Sequence, residues 1–255
     1  FDYIHRRDGY TDIYFVINRT NQFKSVNCSF RVVNRAPELW NPVTGERRFA
    51  DAYKVSEERI VVPLEFPPYG SWFVVFREPV SKHPPVRSKN SYEYNTLIEI
   101  LPPWDVVFDK KYVTNEKVVF DKLISWTQHE QPDIKYYSGA ATYVKEFSVP
   151  HVDKNKKVYL DIGSLRELAE VKLNGKTAGI LWAPPFRVEI TSCLKPETNK
   201  LEITVVNFWP NRIIGDLNFT EEKRVTKTNI RKFTKNTPLM ESGLFGTVKV
   251  LTKEE

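Results

Sequence analysis

The sequence is poor in the residues that bind metals or cross membranes. It has two cysteines, Cys28 and Cys193, in 255 residues. They offer no Cys-x-x-Cys spacing, and the expectation is two buried free thiols in different domains. The four histidines, His5, His83, His129 and His151, show no ligand spacing, so no zinc site is expected. No apolar run approaches the roughly 20 residues of a membrane-spanning helix. No signal-like segment follows Phe1, so the chain is expected to be a fragment or processed product whose targeting region is missing. No internal repeat and almost no helical period are present. Ten glycines against seventeen prolines suit strands joined by defined turns.

Charge excludes a further class. The net charge is +6, with 38 Lys and Arg against 32 Asp and Glu. A nucleic-acid partner requires focused basic charge with placed aromatics. Here the bases are spread along the chain among acids. The densest run, Lys223 to Lys235, reads as a solvated loop face. No nucleic-acid partner and no membrane span are expected.

What the chain does have is strand signal. Val171 and Leu173 alternate with Glu170 and Lys172, Asn174-Gly175 follows, and Lys176 to Leu181 returns. Asn-Gly between two such runs marks a hairpin, because a type I′ turn needs positive φ at both central residues. Phe186 to Ile190 and Leu201 to Val206 continue the series, which ends in an aromatic and polar cluster: Asn207, Phe208, Trp209, Asn211, Arg212, Asp216. In residues 1–80, Asp12 to Ile17, Ser25 to Val33, Arg59 to Leu64 and Ser71 to Arg77 read as four of the five strands expected of a small antiparallel sandwich. Ser71 to Phe76 is nearly continuous in apolar residues and is expected to be central. Periodicity vanishes over 81–95, which reads as a linker. Residues 96–255 hold eight or more short strands, the pattern of a jelly roll. Leu165 to Glu170 could form one helical turn, and 212–246 reads as an ordered loop region over one end of the sandwich. The fold class expected is all-β, two β-sandwich domains.

Several stretches carry a family resemblance. Asp12-Ile-Tyr-Phe-Val-Ile-Asn18, Glu38-Leu-Trp-Asn-Pro-Val-Thr-Gly-Glu46 and Pro68-Tyr-Gly-Ser-Trp-Phe-Val-Val-Phe-Arg77 resemble the sandwich that follows the catalytic barrel in glycoside hydrolase family 106, the α-L-rhamnosidase family. Lys122 to Trp126, Ile134 to Tyr143, Leu181 to Phe186, Asn207 to Asp216 and Ser242 to Gly246 resemble that family's C-terminal jelly roll. The Leu173-Asn-Gly175 hairpin and its following strands are also similar to the galactose-binding-like domain of β-galactosidases and β-mannosidases. Glu197-Thr198 departs from the glycine turn usual before Asn199. The resemblance implies calcium-assisted, inverting hydrolysis of terminal rhamnosides in a secreted or periplasmic enzyme. The two catalytic glutamates and the calcium would lie in the barrel, which is absent here, so no cofactor is expected in this chain. Its implied partners are the upstream barrel of the same polypeptide and plant-type oligosaccharide or polysaccharide.

The chain's own carboxylates support no catalytic assignment. Inversion needs a pair roughly 6.5–9.5 Å apart with one pKa raised. Glu167 with Glu170, Asp216 with Glu221 and Glu222, and Glu57 with Glu58 all read as surface charge. Ser138-Gly139 and Ser242-Gly243 read as turns rather than nucleophile elbows. Sugar binding is the other candidate, set beside a purely structural role for the same residues. It needs aromatic faces, for which Trp182, Trp209, Trp126, Tyr136 and Tyr137 are available, and planar polar groups, for which Asn211, Arg212 and Asp216 are available. The last cluster reads equally as an internal Arg–carboxylate pair pinning a loop. His5 and Arg6, where the barrel would join, are candidates to face its cleft or to form a structural ion pair. Three function readings stand open: a scaffold for the barrel, a carbohydrate-binding module, and a complete enzyme or adhesin of another kind.

Overall fold

A computed structural model describes residues 1–150, 156–229 and 231–254, and the chain divides into two compact units, Phe1–Glu93 and Tyr94–Glu254. The first unit contains β1 (Asp2–Asp8), β2 (Thr11–Ile17), β3 (Lys24–Phe30), β4 (Arg35–Trp40), β5 (Arg47–Phe49), β6 (Lys54–Ser56), β7 (Arg59–Phe66) and β8 (Ser71–Pro79). They form a five-stranded sheet, β1-β2-β8-β4-β5, and a three-stranded sheet, β3-β7-β6. Tyr14, Val16, Leu39, Val74 and Phe76 of the first sheet share one core with Phe30, Ile60, Val62 and Leu64 of the second. The near-continuous apolar run of β8 is explained by its place between β2 and β4.

Eight described strands replace the five read from sequence. β5 and β6 have three residues each, too short to show a period. β1 is exposed along its whole length and so has no apolar alternation.

The 81–95 stretch is a larger departure. Most of it folds on the first unit. Val86 and Arg87 N–H donate to Asp51 O, and Tyr53 Oη donates to His83 O. Asn90 is 5% exposed and donates to Ala52 O at 2.7 Å and Pro63 O at 2.9 Å. Proline and polar residues erase periodicity, but here they serve a strap held by backbone hydrogen bonds, not a free linker.

The second unit contains β9 (Tyr94–Ile100), β10 (Trp104–Phe108), β11 (Lys117–Phe120), β12 (Ala140–Ser148), β13 (Val158–Asp161), β14 (Leu165–Arg166), β15 (Leu168–Leu173), β16 (Lys176–Leu181), β17 (Arg187–Glu189), β18 (Thr198–Val206), β19 (Gly243–Leu244) and β20 (Val248–Lys253). A six-stranded sheet, β11-β10-β12-β18-β15-β16, and a four-stranded sheet, β17-β13-β20-β9, bury one shared core. β14 pairs with β19, so Leu165 to Glu170 is extended and not a helical turn. Leu165 is fully buried, and strand pairing satisfies its backbone where one isolated helical turn would not. Two short helices, α1 (Pro132–Lys135) and α2 (Pro210–Asp216), lie in the long connections. The 96–255 span read from sequence ends at Glu255, outside the described residues.

The Asn-Gly hairpin forms as read. Leu173 pairs with Lys176, and Asn174 and Gly175 have φ of 54° and 79°. Asn174 does more than supply positive φ. Its amide donates to Cys193 O and Asn199 Oδ1, and its oxygen accepts from Lys200 N–H. Asn199, fully buried, in turn holds the Lys195–Glu197 turn that lacks the usual glycine. Asn174→Ala loses the αL preference and three hydrogen bonds, so it is expected to cost about 2–3 kcal/mol. Urea unfolding of the variant followed by fluorescence checks this.

Candidate functional site

The residues of interest gather where β10, β12 and β18 hand over to α1, α2 and the 217–242 connection. An aromatic knot comes first. Trp126 is fully buried and donates from Nε1 to Tyr143 Oη at 2.6 Å. Its ring meets Tyr137 edge-on at 5.4 Å and Phe108 at 5.6 Å. Leu244 N–H also donates to Tyr143 Oη, and burial with this packing raises the phenol pKa well above its usual value. Ser125 Oγ accepts from Ser242 N–H, which ties the two motif segments together. Gly243 lies against the indole with φ of 94°, and a Cβ there would meet Trp126 Nε1 at 2.5 Å. The Ser-Trp and Ser-Gly motifs are therefore one packing device. Trp126 and Tyr137 present no ring face to a ligand, which corrects their reading as stacking residues.

The polar cluster after β18 is a set of clamps. Asn207 accepts from Gly139 N–H and donates to Tyr137 O. Asn211 exchanges two hydrogen bonds with the Met240 backbone, at 2.6 and 2.8 Å. Asp216 Oδ2 accepts from Val225 N–H, Thr226 N–H and Thr226 Oγ1, while Oδ1 lies 3.1 Å from Arg212 Nη2. Asn211 and Asp216 are each 2% exposed. A ligand cannot reach them, so both are loop-holding residues and not sugar contacts. The alternative of an internal Arg–carboxylate pair is the one the geometry takes.

Arg212 and Tyr136 are placed differently. Both line a concave cavity of about 410 Å³, with Tyr112, Thr114, Asn115, Gln131, Asp133, Gly215 and Phe219. Asp133 spans its floor chemically: Oδ2 accepts from Thr114 N–H at 2.7 Å and Oδ1 from Ile134 N–H at 3.0 Å. Burial pushes the Asp133 carboxyl up, but these hydrogen bonds outweigh it and hold the pKa below the usual range. Sequence reasoning missed Tyr112, Asn115, Gln131 and Asp133, because they come from one turn and the start of α1, about 20 residues apart, with no local motif. The two exposed tryptophans lie elsewhere: Trp182 follows β16 and is 57% exposed, and Trp209 precedes α2 and is 68% exposed beside Phe208 at 54%.

In the first unit His5 and Arg6 point to opposite sides of β1, as neighbours on a strand must. His5 Nε2 lies 2.7 Å from Asp12 Oδ1, and its ring stacks on Tyr14 at 4.1 Å. Asp12 is buried and also pairs with Arg35. His5 is thus held in a structural hydrogen bond and ring stack, while Arg6 is exposed.

Among the described residues, no group of three or more His, Cys, Asp or Glu side chains is placed to hold a metal ion. His151 lies outside them. The two cysteines are free, Cys193 buried and Cys28 half-buried on β3. Burial pushes the Cys28 thiol up from 9.0 to about 11. Two pKa units leave about a hundred-fold less thiolate near neutral pH. Iodoacetamide at pH 8 is expected to label Cys28 of the folded chain about a hundred-fold more slowly than that of the urea-unfolded chain, read by mass spectrometry.

Two antiparallel β-sandwich units, the second carrying a lined cavity, define the class of fold. Comparison with known proteins makes this specific. Residues 1–55 match the family model for alpha-L-rhamnosidase, glycoside hydrolase family 106, and residues 113–234 match the glycosyl hydrolase 2 galactose-binding domain-like model. The structure of a rhamnosidase from Novosphingobium sp. PP1Y superposes with a TM-score of 0.88 at 31% identity, covering 98% of this chain and 23% of that one. A curated putative beta-glucuronidase from Formosa agariphila is 41% identical over 172 residues, covering 58% of this chain and 15% of its own length. A beta-glucuronidase of the same organism is 34% identical over 96 residues, covering 36% of this chain and 10% of its own length. The chain therefore spans under a quarter of each of these relatives. It is homologous to glycoside hydrolases, and the resemblance to family 106 and to galactose-binding-like domains holds.

Proposed function

We propose that this chain is the non-catalytic β-region of a secreted or periplasmic glycoside hydrolase resembling α-L-rhamnosidase, and that it supports a catalytic barrel on the same polypeptide. The observation that carries this is the disposition of its carboxylates. Those most deeply buried, Asp12, Glu38 and Asp216, are each spent on an arginine. Glu78 and Asp133 have carboxyls held below the usual range. A glycosidase acid needs the opposite, a carboxyl raised so that it still holds its proton. The buried clamps described above fit a part whose task is rigidity. The test is to assay the 255-residue chain on chromogenic α-L-rhamnoside and β-D-glucuronide. No turnover is expected; turnover that disappears with a single carboxylate substitution would overturn the proposal.

A second reading is favoured by the cavity: the second unit also binds a saccharide. Concave sites of a few hundred Å³ with aromatic walls and a few convergent polar groups are where small ligands bind. Tyr112, Tyr136 and Phe219 supply the walls, and Arg212, Asp133, Asn115 and Gln131 supply the polar groups. Calorimetric titration with mono- and oligosaccharides tests it, with Tyr136→Ala as the control that should remove saturable binding.

A further inference from the structure

Arg212 has more donors than partners. Its side chain is 12% exposed, and among the described residues its Nε is buried with no hydrogen-bond partner and Asp216 is its ion-pair partner. A guanidinium presents five N–H donors in a planar fork, and a buried donor without an acceptor is costly. Asp216 offers the fork only Oδ1, which lies 3.1 Å from Nη2 and is itself buried, because three donors from Val225 and Thr226 occupy its Oδ2. The rest of the guanidinium has the cavity that Arg212 lines beside it.

The surroundings favour an acceptor that is charged. Lys111 Nζ lies 5.1 Å from the Tyr112 ring centroid, and Lys135 Nζ lies 5.9 Å from that of Tyr136. Both rings belong to the cavity wall. The carboxylate oxygens of Asp133 are taken up by the Thr114 and Ile134 N–H groups and Oδ2 of Asp216 by its loop, so the arginine and the two lysines are the groups left to meet an anion. Asn115 and Gln131 add neutral amides, which suit hydroxyls as donors and acceptors at once. Gly215 sets the width. A Cβ there would meet Tyr136 Cγ at 2.5 Å, so only glycine lets α2 approach the ring this closely.

We propose that this cavity binds a sugar unit carrying a carboxylate, a residue of the uronic acid class. Its carboxylate meets the Arg212 fork, and its ring hydroxyls meet Asn115 and Gln131. A planar carboxylate matches the guanidinium in a bidentate way that a hydroxyl does not. The assignment rests on the saccharide-binding reading above and names the ligand class of that same site.

The experiment is an NMR titration of the full 255-residue chain at low salt. The probes are methyl galacturonoside and methyl glucuronoside, the neutral methyl galactoside and rhamnoside, and acetate. The expected result is saturable binding of the acidic sugars, with shifts confined to the cavity residues, and neutral sugars weaker by about ten-fold or more. Arg212→Lys is expected to weaken the acidic sugars by about ten-fold, since it keeps the charge but loses the fork. Arg212 also holds Asp216, so Gln131→Ala and Lys135→Gln give a second test outside that pair; both should weaken binding with an unchanged melting temperature. Equal affinity for acidic and neutral sugars overturns the carboxylate assignment and leaves the saccharide reading intact. Acetate binding as tightly as the sugar acids reduces the site to an anion pocket and overturns the proposal. No binding of any sugar removes both readings.

Discussion

Trp126→Ala is expected to destabilise the second unit by about 3–5 kcal/mol, the range for deleting a fully buried large aromatic. The indole is fully buried and touches Phe108 and Tyr137. Its removal also takes a donor from Tyr143 Oη, an atom that anchors Leu244 N–H as well. Gly243, which packs on the indole with positive φ, would face a void. For a unit of this size the loss corresponds to a fall in melting temperature of roughly 10–15 °C. Trp182→Ala is the matching control. That ring is 57% exposed, so a change within about 0.5 kcal/mol is expected. Differential scanning calorimetry of both variants decides the matter. Equal losses would mean that Trp126 is not the keystone its burial implies.

Asp216→Ala is the second large effect, expected at about 3–5 kcal/mol because it leaves a buried guanidinium with no counter-charge. The carboxylate holds Arg212 on one oxygen and the 225–226 backbone on the other. Asp216→Asn keeps an acceptor for those N–H groups and loses only the charge, so a smaller loss of about 1–3 kcal/mol is expected. The pair of variants separates ion pairing from loop anchoring. Hydrogen exchange at Val225 and Thr226 reads the anchor directly: protection should vanish in the alanine variant and persist in part with asparagine.

These two effects also mark how far the sequence could be read. Strand periods, apolar runs and the Asn-Gly pair are local signals, so β2, β3, β7, β8 and the β15–β16 hairpin were legible from the sequence. β5 and β6 were not, because three residues carry no period. The prolines of the 81–95 stretch look like a linker for the same reason, since a strap held through backbone groups leaves little mark on side-chain pattern. The exposed edge strand β1 likewise has no buried face to announce it.

The candidate site was half legible. The Asn207–Asp216 cluster drew notice through its composition, and Tyr136 and Arg212 do line the cavity. Aromatic identity, however, does not reveal exposure. Trp126 and Trp209 look alike in sequence, yet one is fully buried and the other 68% exposed. Asn211, Arg212 and Asp216 sit on the same short helix, α2, yet Arg212 lines the cavity while the other two hold the loop. Asp133 reaches the same cavity from α1 and Asn115 from a separate turn.

The sequence by itself determined the all-β class and the hairpin, because both rest on spacing within a few residues, and it carried the resemblance to glycoside hydrolases through motifs spread along the chain. Only the tertiary structure decided which polar groups are buried clamps and which are left with open donors. That distinction depends on long-range burial: a guanidinium or carboxylate has one chemistry in sequence, and its role follows from whether neighbours distant in the chain have already taken its hydrogen bonds.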